Sequence, residues 1–237
     1  MKTLTIVIPA LNEEEGIGPV IKDIPVYKLK DVGYETEILV VDNGSQDRTP
    51  HIARDNGARV IIQPMRGYGN AYKAGFANAS GEVIATGDAD LTYPFAVLPE
   101  LLLRMEREDL DFINTDRLTN LNRGVMSPSH QFGNRVLTFM MRILFRWPFI
   151  DSQSGMWIFR KSVWDKLEVS SSGMAFSQEL KIEAFIKGFK CAEVPIQYRM
   201  RLGKVKLSTV KNGIENMSQL LCKRVQILWI DMKKNSV

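Results

Sequence analysis

The chain has 237 residues, of which 45% are hydrophobic, 24% charged and 9% aromatic. That balance fits a globular protein of roughly one to two domains, and it excludes a disordered, collagenous or disulfide-stapled chain. The formal charge is +4 but unevenly placed: nine Lys/Arg face two acids from Arg199 onward, and residues 117–150 hold five Arg and no acid. Such asymmetry points either to an anionic partner (nucleic acid, phosphorylated substrate or lipid headgroup) or to a solvated basic face.

In chain order, residues 4–8 form a β-rich apolar run that Pro9 closes. Residues 13–23 read as a helix with Asn12 as N-cap and acids in the first turn, where the macrodipole favours them. Residues 37–41 are a second apolar run, bounded by Asp42-Asn43-Gly44-Ser45. Thr49 caps a helix with Pro50 at its first position, and Gly57 stops it. Residues 59–62 are a third strand, 70–79 a helix, and 82–86 a fourth strand leading into Gly87-Asp88-Ala89-Asp90. A helix at 98–107 and a strand at 111–114 follow. The second half is less regular: a helix at 134–146, a strand at 155–159, a helix at 177–187, a strand at 190–196 and a last helix from about 208 to 232.

This alternation predicts an α/β domain with a mostly parallel, Rossmann-like sheet flanked by helices. No linker-like stretch divides it, so one domain over 1–207 with a C-terminal amphipathic helix over 208–237 is expected. Ligands of such sheets bind beyond the carboxyl ends of the strands. Three polar clusters stand at those ends: residues 9–13, 42–47 and 88–90. Cys191 and Cys222 offer no disulfide framework, and His51 and His130 lack metal-ligand spacing. No stretch is long and apolar enough to cross a bilayer, and the N-terminal apolar run is too short for a secretory leader. A cytoplasmic location is expected.

Asp88-Ala89-Asp90 places two carboxylates on one side of an extended segment. Like charges so close call for a cation, and Mg²⁺ or Mn²⁺ commonly bridges such oxygens to a diphosphate; the plainer alternative is a turn with capping aspartates. Asp42 at the second strand end suits a ribose or base edge, or simply an Asn-Gly turn. Arg66-Gly67-Tyr68-Gly69-Asn70 could bring backbone N–H groups and Arg66 to a phosphate, yet it matches neither G-x-G-x-x-G nor the phosphate-loop ending.

Taken in order and spacing, Ile8-Pro9-Ala10-Leu11-Asn12-Glu13-Glu14, Val40-Val41-Asp42-Asn43-Gly44-Ser45-Gln46-Asp47, Gly67-Tyr68-Gly69-Asn70-Ala71 and Gly87-Asp88-Ala89-Asp90-Leu91-Thr92-Tyr93-Pro94 resemble the motifs of family 2 glycosyltransferases. Asp151-Ser152-Gln153-Ser154-Gly155-Met156 and Arg201-Leu202-Gly203-Lys204-Val205-Lys206-Leu207 resemble those of the dolichyl-phosphate mannose/glucose synthase group. The resemblance implies a GT-A fold and a nucleotide-sugar donor. Pro9, Leu11, Glu13 and Asp42 would line the nucleoside pocket, and Val40, Gly67 and Ala89 belong to the same nucleotide-sugar-binding set. Asp88 and Asp90 would hold Mg²⁺ or Mn²⁺ on the donor diphosphate. Arg117 would meet the acceptor phosphate, and Arg201 and Lys206 would close over phosphates from a mobile loop. Asp151, Gln153 and Glu179 would lie near the sugar. Relatives often carry Gln at the position of Thr92, which leaves a third metal contact open. Many carry Arg near His130-Gln131; Arg123 or Arg135 would supply that phosphate contact, or it would be missing.

The implied reaction is inverting transfer of a hexose or N-acetylhexosamine from GDP-mannose or a UDP-sugar to dolichyl or polyprenyl phosphate. The alternatives are transfer to a sugar hydroxyl of a glycan, with Glu179 or Asp151 as base, and a non-catalytic nucleotide-sugar-binding module. The protein would then lie peripherally at the inner face of the membrane. Arg135, Arg142 and Arg146 share one helical face, with Phe139, Met140, Ile143 and Trp147 elsewhere, which suits an interfacial helix or a core helix with exposed arginines. The last helix would lie on the membrane, pack on the domain, or meet a membrane-protein partner or a second copy. No recognition motif suggests nucleic acid.

Overall fold

The computed structural model describes residues 1–203 and 209–234. Its centre is a seven-stranded sheet of β1 (Lys2–Ala10), β2 (Tyr34–Asp42), β3 (Arg59–Ile62), β4 (Val83–Thr86), β5 (Phe112–Asp116), β6 (Trp157–Arg160) and β7 (Cys191–Pro195), in the order β3-β2-β1-β4-β6-β5-β7. The pairings are parallel except where β6 runs against β4 and β5. The helices are α1 (Ile17–Asp23), α2 (Val26–Asp31), α3 (Thr49–Asp55), α4 (Tyr68–Asn78), α5 (Leu98–Arg107), α6 (Pro128–Phe145), α7 (Lys161–Trp164), α8 (Phe176–Ile186) and α9 (Thr209–Lys234).

Residues 4–8 of β1 are buried without interruption because helices cover both faces. Leu4, Ile6 and Ile8 point to a core shared with α1 and α5, through Ile17, Val20, Leu98, Leu102 and Met105. Val7, Leu39 and Val41 point to the other face, against Tyr72 and Phe76 of α4 and Phe176 and Leu180 of α8. A third cluster joins Leu137, Met141 and Phe145 of α6 to Trp147, Ile182 of α8 and Leu220 of α9.

The sheet and most helices lie where the sequence places them, with four corrections. Pro9 does not close β1, which runs on to Ala10. The Ala10 carbonyl accepts the Asn43 N–H on the β2 side, so Pro9 turns its donor-less nitrogen toward β4, whose pairing with β1 has ended at Val7–Thr86. The first helix starts at Ile17, and Asn12 does not cap it; Asn12 sits at φ 53 in a turn tied to the loop after β2. The short helices α2 and α7 are additional. Helix α6 begins six residues before the expected start: Ser127 accepts the His130 N–H and Pro128 occupies the first turn.

Candidate active site

At the carboxyl edge of β1 and β2, the loops that follow are cross-linked. Asn12 N–H donates to Ser45 Oγ at 2.9 Å, Gln46 N–H to Asn12 Oδ1 at 2.7 Å, and Glu13 N–H to Thr49 Oγ1 at 2.7 Å. Asp42 is buried and accepts the Ser45 N–H at 3.2 Å. Pro9, Leu11 and Glu13 reach the surface at this rim. Val40 does not: it is fully buried and packs in the core beneath, because strand alternation turns it under Asp42.

The Gly67 turn differs from a phosphate cradle. Gly67 N–H donates to Asn43 Oδ1 at 2.8 Å and Asn70 N–H to the Ser172 carbonyl at 3.1 Å, so these amides are occupied. Gly67 sits at φ 139, and a Cβ there would collide with the Ser172 carbonyl oxygen. Arg66 donates to the Gly44 carbonyl at 3.3 Å.

Beyond β4, Asp90 is buried. Its Oδ1 accepts the Thr92 N–H at 3.1 Å and the Thr92 hydroxyl at 2.5 Å. Its Oδ2 lies 2.6 Å from an Arg201 guanidinium nitrogen, yet no directed hydrogen bond reaches it among the described residues. Burial first, then the charge of Asp90, pushes the Asp88 carboxyl up to about 7, against the pull of Arg201 and Arg117. Ala89 between them is buried in the core and offers only its backbone. Gly155 completes this wall: a Cβ there would stand 2.7 Å from the Tyr68 hydroxyl and 3.7 Å from Asp88 Oδ1, so a side chain would crowd the carboxylate. A buried and a half-buried carboxylate two residues apart, one with an oxygen that takes no directed hydrogen bond, fit a divalent cation shared with a substrate diphosphate. No group of three or more His, Cys, Asp or Glu that could hold a metal ion occurs among the described residues.

Across the cavity, Arg117 and Asp151 form a closed pair. Arg117 donates Nε to Asp151 Oδ2 at 2.7 Å and Nη2 to Oδ1 at 3.0 Å, and its backbone N–H reaches Oδ2 at 3.1 Å. Burial opposes ionisation of Asp151, but the Arg117 charge outweighs it and holds the carboxyl below its usual range. Gln153 N–H takes a further contact on Oδ1 at 2.9 Å. Behind this turn, fully buried Lys181 donates to the Ser152 and Ser154 carbonyls at 2.6 and 2.7 Å; burial lowers its pKa to about 7.

Glu179 is not among the residues that line the cavity between these walls. It accepts the Ser170 and Ser171 N–H groups at 3.2 and 2.8 Å and faces Lys223 of α9 at 3.4 Å. These contacts fix the 170–172 loop against the Gly67 turn. Asp151 likewise has both oxygens engaged, so neither carboxylate is available as a base.

Between these walls lies a cavity of about 380 Å³. Asp88, Arg117, Gln153 and Arg201 line it, as do His130 of α6 and Asn216 of α9. Arg123 and Arg135, which were expected to supply a phosphate contact, do not. Lys206 lies outside the described residues.

The profile of Glycosyl transferase family 2 matches residues 5–168. The chain belongs to glycosyltransferase family 2. It is 35% identical over 210 residues to a dolichyl-phosphate hexose transferase of Haloferax volcanii, covering 89% of each chain. It is 38% identical over 221 residues to the low-salt glycan biosynthesis hexosyltransferase Agl6 of the same organism; that match takes in 92% of this chain but spans only about half (53%) of the relative. Among solved structures, glucosyl-3-phosphoglycerate synthase from Mycobacterium tuberculosis, in complex with UDP, superposes with a TM-score of 0.77 at 22% identity, over 94% of this chain and 80% of that one. That likeness establishes the GT-A fold.

In this family 2 glycosyltransferase several residues, Asn43 and Tyr93 within the quoted motifs and Gln178, Asn216 and Gln219 outside them, make site contacts that the motifs do not announce. Asn43 holds the Gln63 and Met65 carbonyls at 2.9 Å each and so fixes the Gly67 turn. Tyr93 receives the Gly155 N–H at 2.6 Å and packs edge-on against Tyr198, whose ring also faces the Arg117 guanidinium. Gln153, Gln178, Asn216 and Gln219 form an amide chain from the cavity into α9. Only the tertiary fold brings these together; in sequence, Asn43 reads as a turn residue and Gln178 as helix surface.

Proposed function

We propose that this chain transfers a hexose from a nucleotide sugar to a polyprenyl or dolichyl phosphate, with inversion at the anomeric carbon and with Mg²⁺ or Mn²⁺ as cofactor. The named activity of the Haloferax dolichyl-phosphate hexose transferase supports the acceptor. The Mn²⁺, UDP and phosphoglyceric acid complex of the mycobacterial synthase supports a metal-bound nucleotide donor. The observation that carries the proposal is the charge inventory of the cavity. Asp88 is the carboxylate on its wall, while Asp151 and Glu179 are engaged elsewhere. A hydroxyl acceptor needs a base; a phosphate monoester is already an anion at neutral pH and needs cations and alignment instead.

A phosphate oxygen forms the new bond to C1, and the nucleoside diphosphate leaves with the electron pair of the old one. The cation, when bound, neutralises charge developing on that diphosphate. Asp88 and Asp90 would hold it. Asp42 and the rim of Pro9, Leu11 and Glu13 would seat the nucleoside. Asp151 takes the Nε and Nη2 edge of Arg117 and so turns the rest of the guanidinium toward the acceptor phosphate. Arg201 reaches in from a strap of residues 199–203, which is tied to the Asp90 loop through Leu202 N–H and the Asp90 carbonyl at 2.9 Å. Paired binding aligns the reactants. The protein would act as a peripheral protein on the cytoplasmic face of a membrane, where such an acceptor resides.

The test is a panel of radiolabelled nucleotide sugars with Mg²⁺ or Mn²⁺ and either dolichyl or undecaprenyl phosphate, read as label entering the organic phase. Metal-dependent transfer from one donor is expected. Label reaching only glycan hydroxyls would overturn the acceptor and turn attention to His130, the imidazole on the cavity wall.

A further inference from the structure

At the opposite end of α6 from the catalytic cavity, a second groove of about 290 Å³ lies where the helix meets α8 and α9. Its apolar lining is Ile143, Phe145, Ile186 and Ile227, and two guanidiniums, Arg146 and Arg224, stand on it. Neither arginine has an ion pair or hydrogen bond among the described residues. Glu183 of α8 is already held by Lys187 at 3.4 Å and Lys223 at 2.5 Å. Arg146 occupies the left-handed position that ends α6, at φ 55, where glycine would fit at no steric cost. The fold thus keeps two unpaired cations over an apolar floor.

The surroundings say what would cover this groove. Phe132, Arg135, Phe139, Arg142, Ile143 and Arg146 form one exposed stripe along α6. On α9, Leu221, Val225, Leu228, Trp229 and Met232 form another, with Lys233 set over the Trp229 ring. The two helices pack on each other through Leu137, Met141 and Leu220, and the groove between their ends is lined by Ile143 and Arg146 of the first stripe and by Arg224, next to Val225 of the second. The α6 stripe alternates large apolar side chains with cations, and the α9 stripe is apolar with Lys233 at its end. That pattern matches the interfacial zone of an anionic bilayer. No helix among the described residues is long and apolar enough to cross a membrane, so the contact is with its surface.

We propose that Arg146 and Arg224 bind the phosphate of an anionic membrane lipid, whose glycerol and upper acyl chains rest on the Ile143–Ile186–Ile227 floor. This site is separate from the acceptor site. It seats α6 and α9 on the bilayer, and the same two helices line the catalytic cavity through Gly133 and Asn134 of α6 and Gly213 and Asn216 of α9. The inference deepens the proposed function and rests on it for its purpose, but not for its test.

The test is vesicle flotation of the full chain, without donor or acceptor. Vesicles of phosphatidylcholine are compared with vesicles in which phosphatidylglycerol is mixed. Binding is expected to be stronger to the anionic vesicles, and Arg146→Gln with Arg224→Gln together are expected to weaken it about 25-fold, at about fivefold per cation. Arg135→Gln, outside the groove, is expected to cost no more than about fivefold. Equal binding of the double variant and the wild type to anionic vesicles would overturn the proposal. Release of the wild type by inorganic phosphate at matched ionic strength would also overturn it, and would make the groove a free-phosphate site. Unchanged thermal unfolding and unchanged transfer to detergent-dispersed acceptor show that the double variant is folded. Because flotation and transfer are read separately, failure of this site and failure of the glycosyl-transfer reading are distinguishable.

Discussion

At the end of β4, Asp88 and Asp90 lie side by side, and Arg201 reaches them from an exposed strap; at the end of β5, Asp151 and Arg117 close on each other in a buried bidentate pair. The first arrangement leaves a carboxyl raised to about 7 and an oxygen without a directed partner. The second leaves Asp151 no spare lone pair of use to a substrate. Charges that the fold leaves unsettled mark where substrate and cation complete the structure. Charges that the fold settles are scaffolding, even when they stand within the cavity wall.

The comparison breaks most visibly at Asp151. Asp151→Ala leaves the buried Arg117 unpaired and is expected to lower stability by about 3–5 kcal/mol, read by denaturant unfolding. If the variant unfolds like the wild type, the pair is not scaffolding. Asp90→Ala is the counterpart. It is expected to cut transfer by about 10²–10³-fold while leaving the unfolding midpoint unchanged or higher, since it relieves repulsion between like charges. A fully active Asp90→Ala enzyme would remove the proposed cation role.

Lys181 sharpens the same contrast through pH. Its folded pKa is near 7 because burial disfavours the charge, whereas the unfolded side chain titrates near 10.4. Between those values the unfolded chain binds a proton that the folded chain does not, so stability rises with pH from about 7 to about 10. Lys181→Met is expected to flatten that rise, measured as denaturant midpoints across the range; an unchanged slope would place its source elsewhere.

The smallest effect is expected far from the site. Burial tends to raise the Glu37 carboxyl, but hydrogen bonds from Arg59, Ser80 and Thr5 prevail and hold it at about 2. Its contribution is therefore present above the ordinary carboxylate range and lost as pH falls through about 2. Glu37→Gln is expected to cost about 1 kcal/mol at neutral pH after solvent screening. The gap to wild type should narrow on acidification in thermal unfolding.

Much of the donor side was legible because each motif there is local. A strand end followed by Asp42, or by Asp88-Ala89-Asp90, carries its own hydrogen-bonding and charge problem within a few residues. Even there, Val40 and Gly67 show the limit of such reading: strand alternation hides the one in the core, and the other gives its amide to Asn43. The acceptor side was read less well. Glu179 looked like a catalytic carboxylate because its sequence says nothing of the Ser170–Ser171 amides that occupy it. Trp147 looked interfacial, yet it is buried beside Phe149 and Phe185, while Phe139 and Ile143 share the exposed face of the arginines.

The sequence by itself determined the alternation of strands and helices, the parallel core of the sheet and the carboxylates at its edge, because hydrophobic periodicity and turn chemistry act over a few residues. Only the tertiary structure decided which charges meet. The antiparallel insertion of β6 between β4 and β5, the clasp of Arg117 by Asp151 across 34 positions, and the packing of α9 onto α6 are long-range contacts. Their partners are selected by the geometry of the whole core, and no local pattern encodes them.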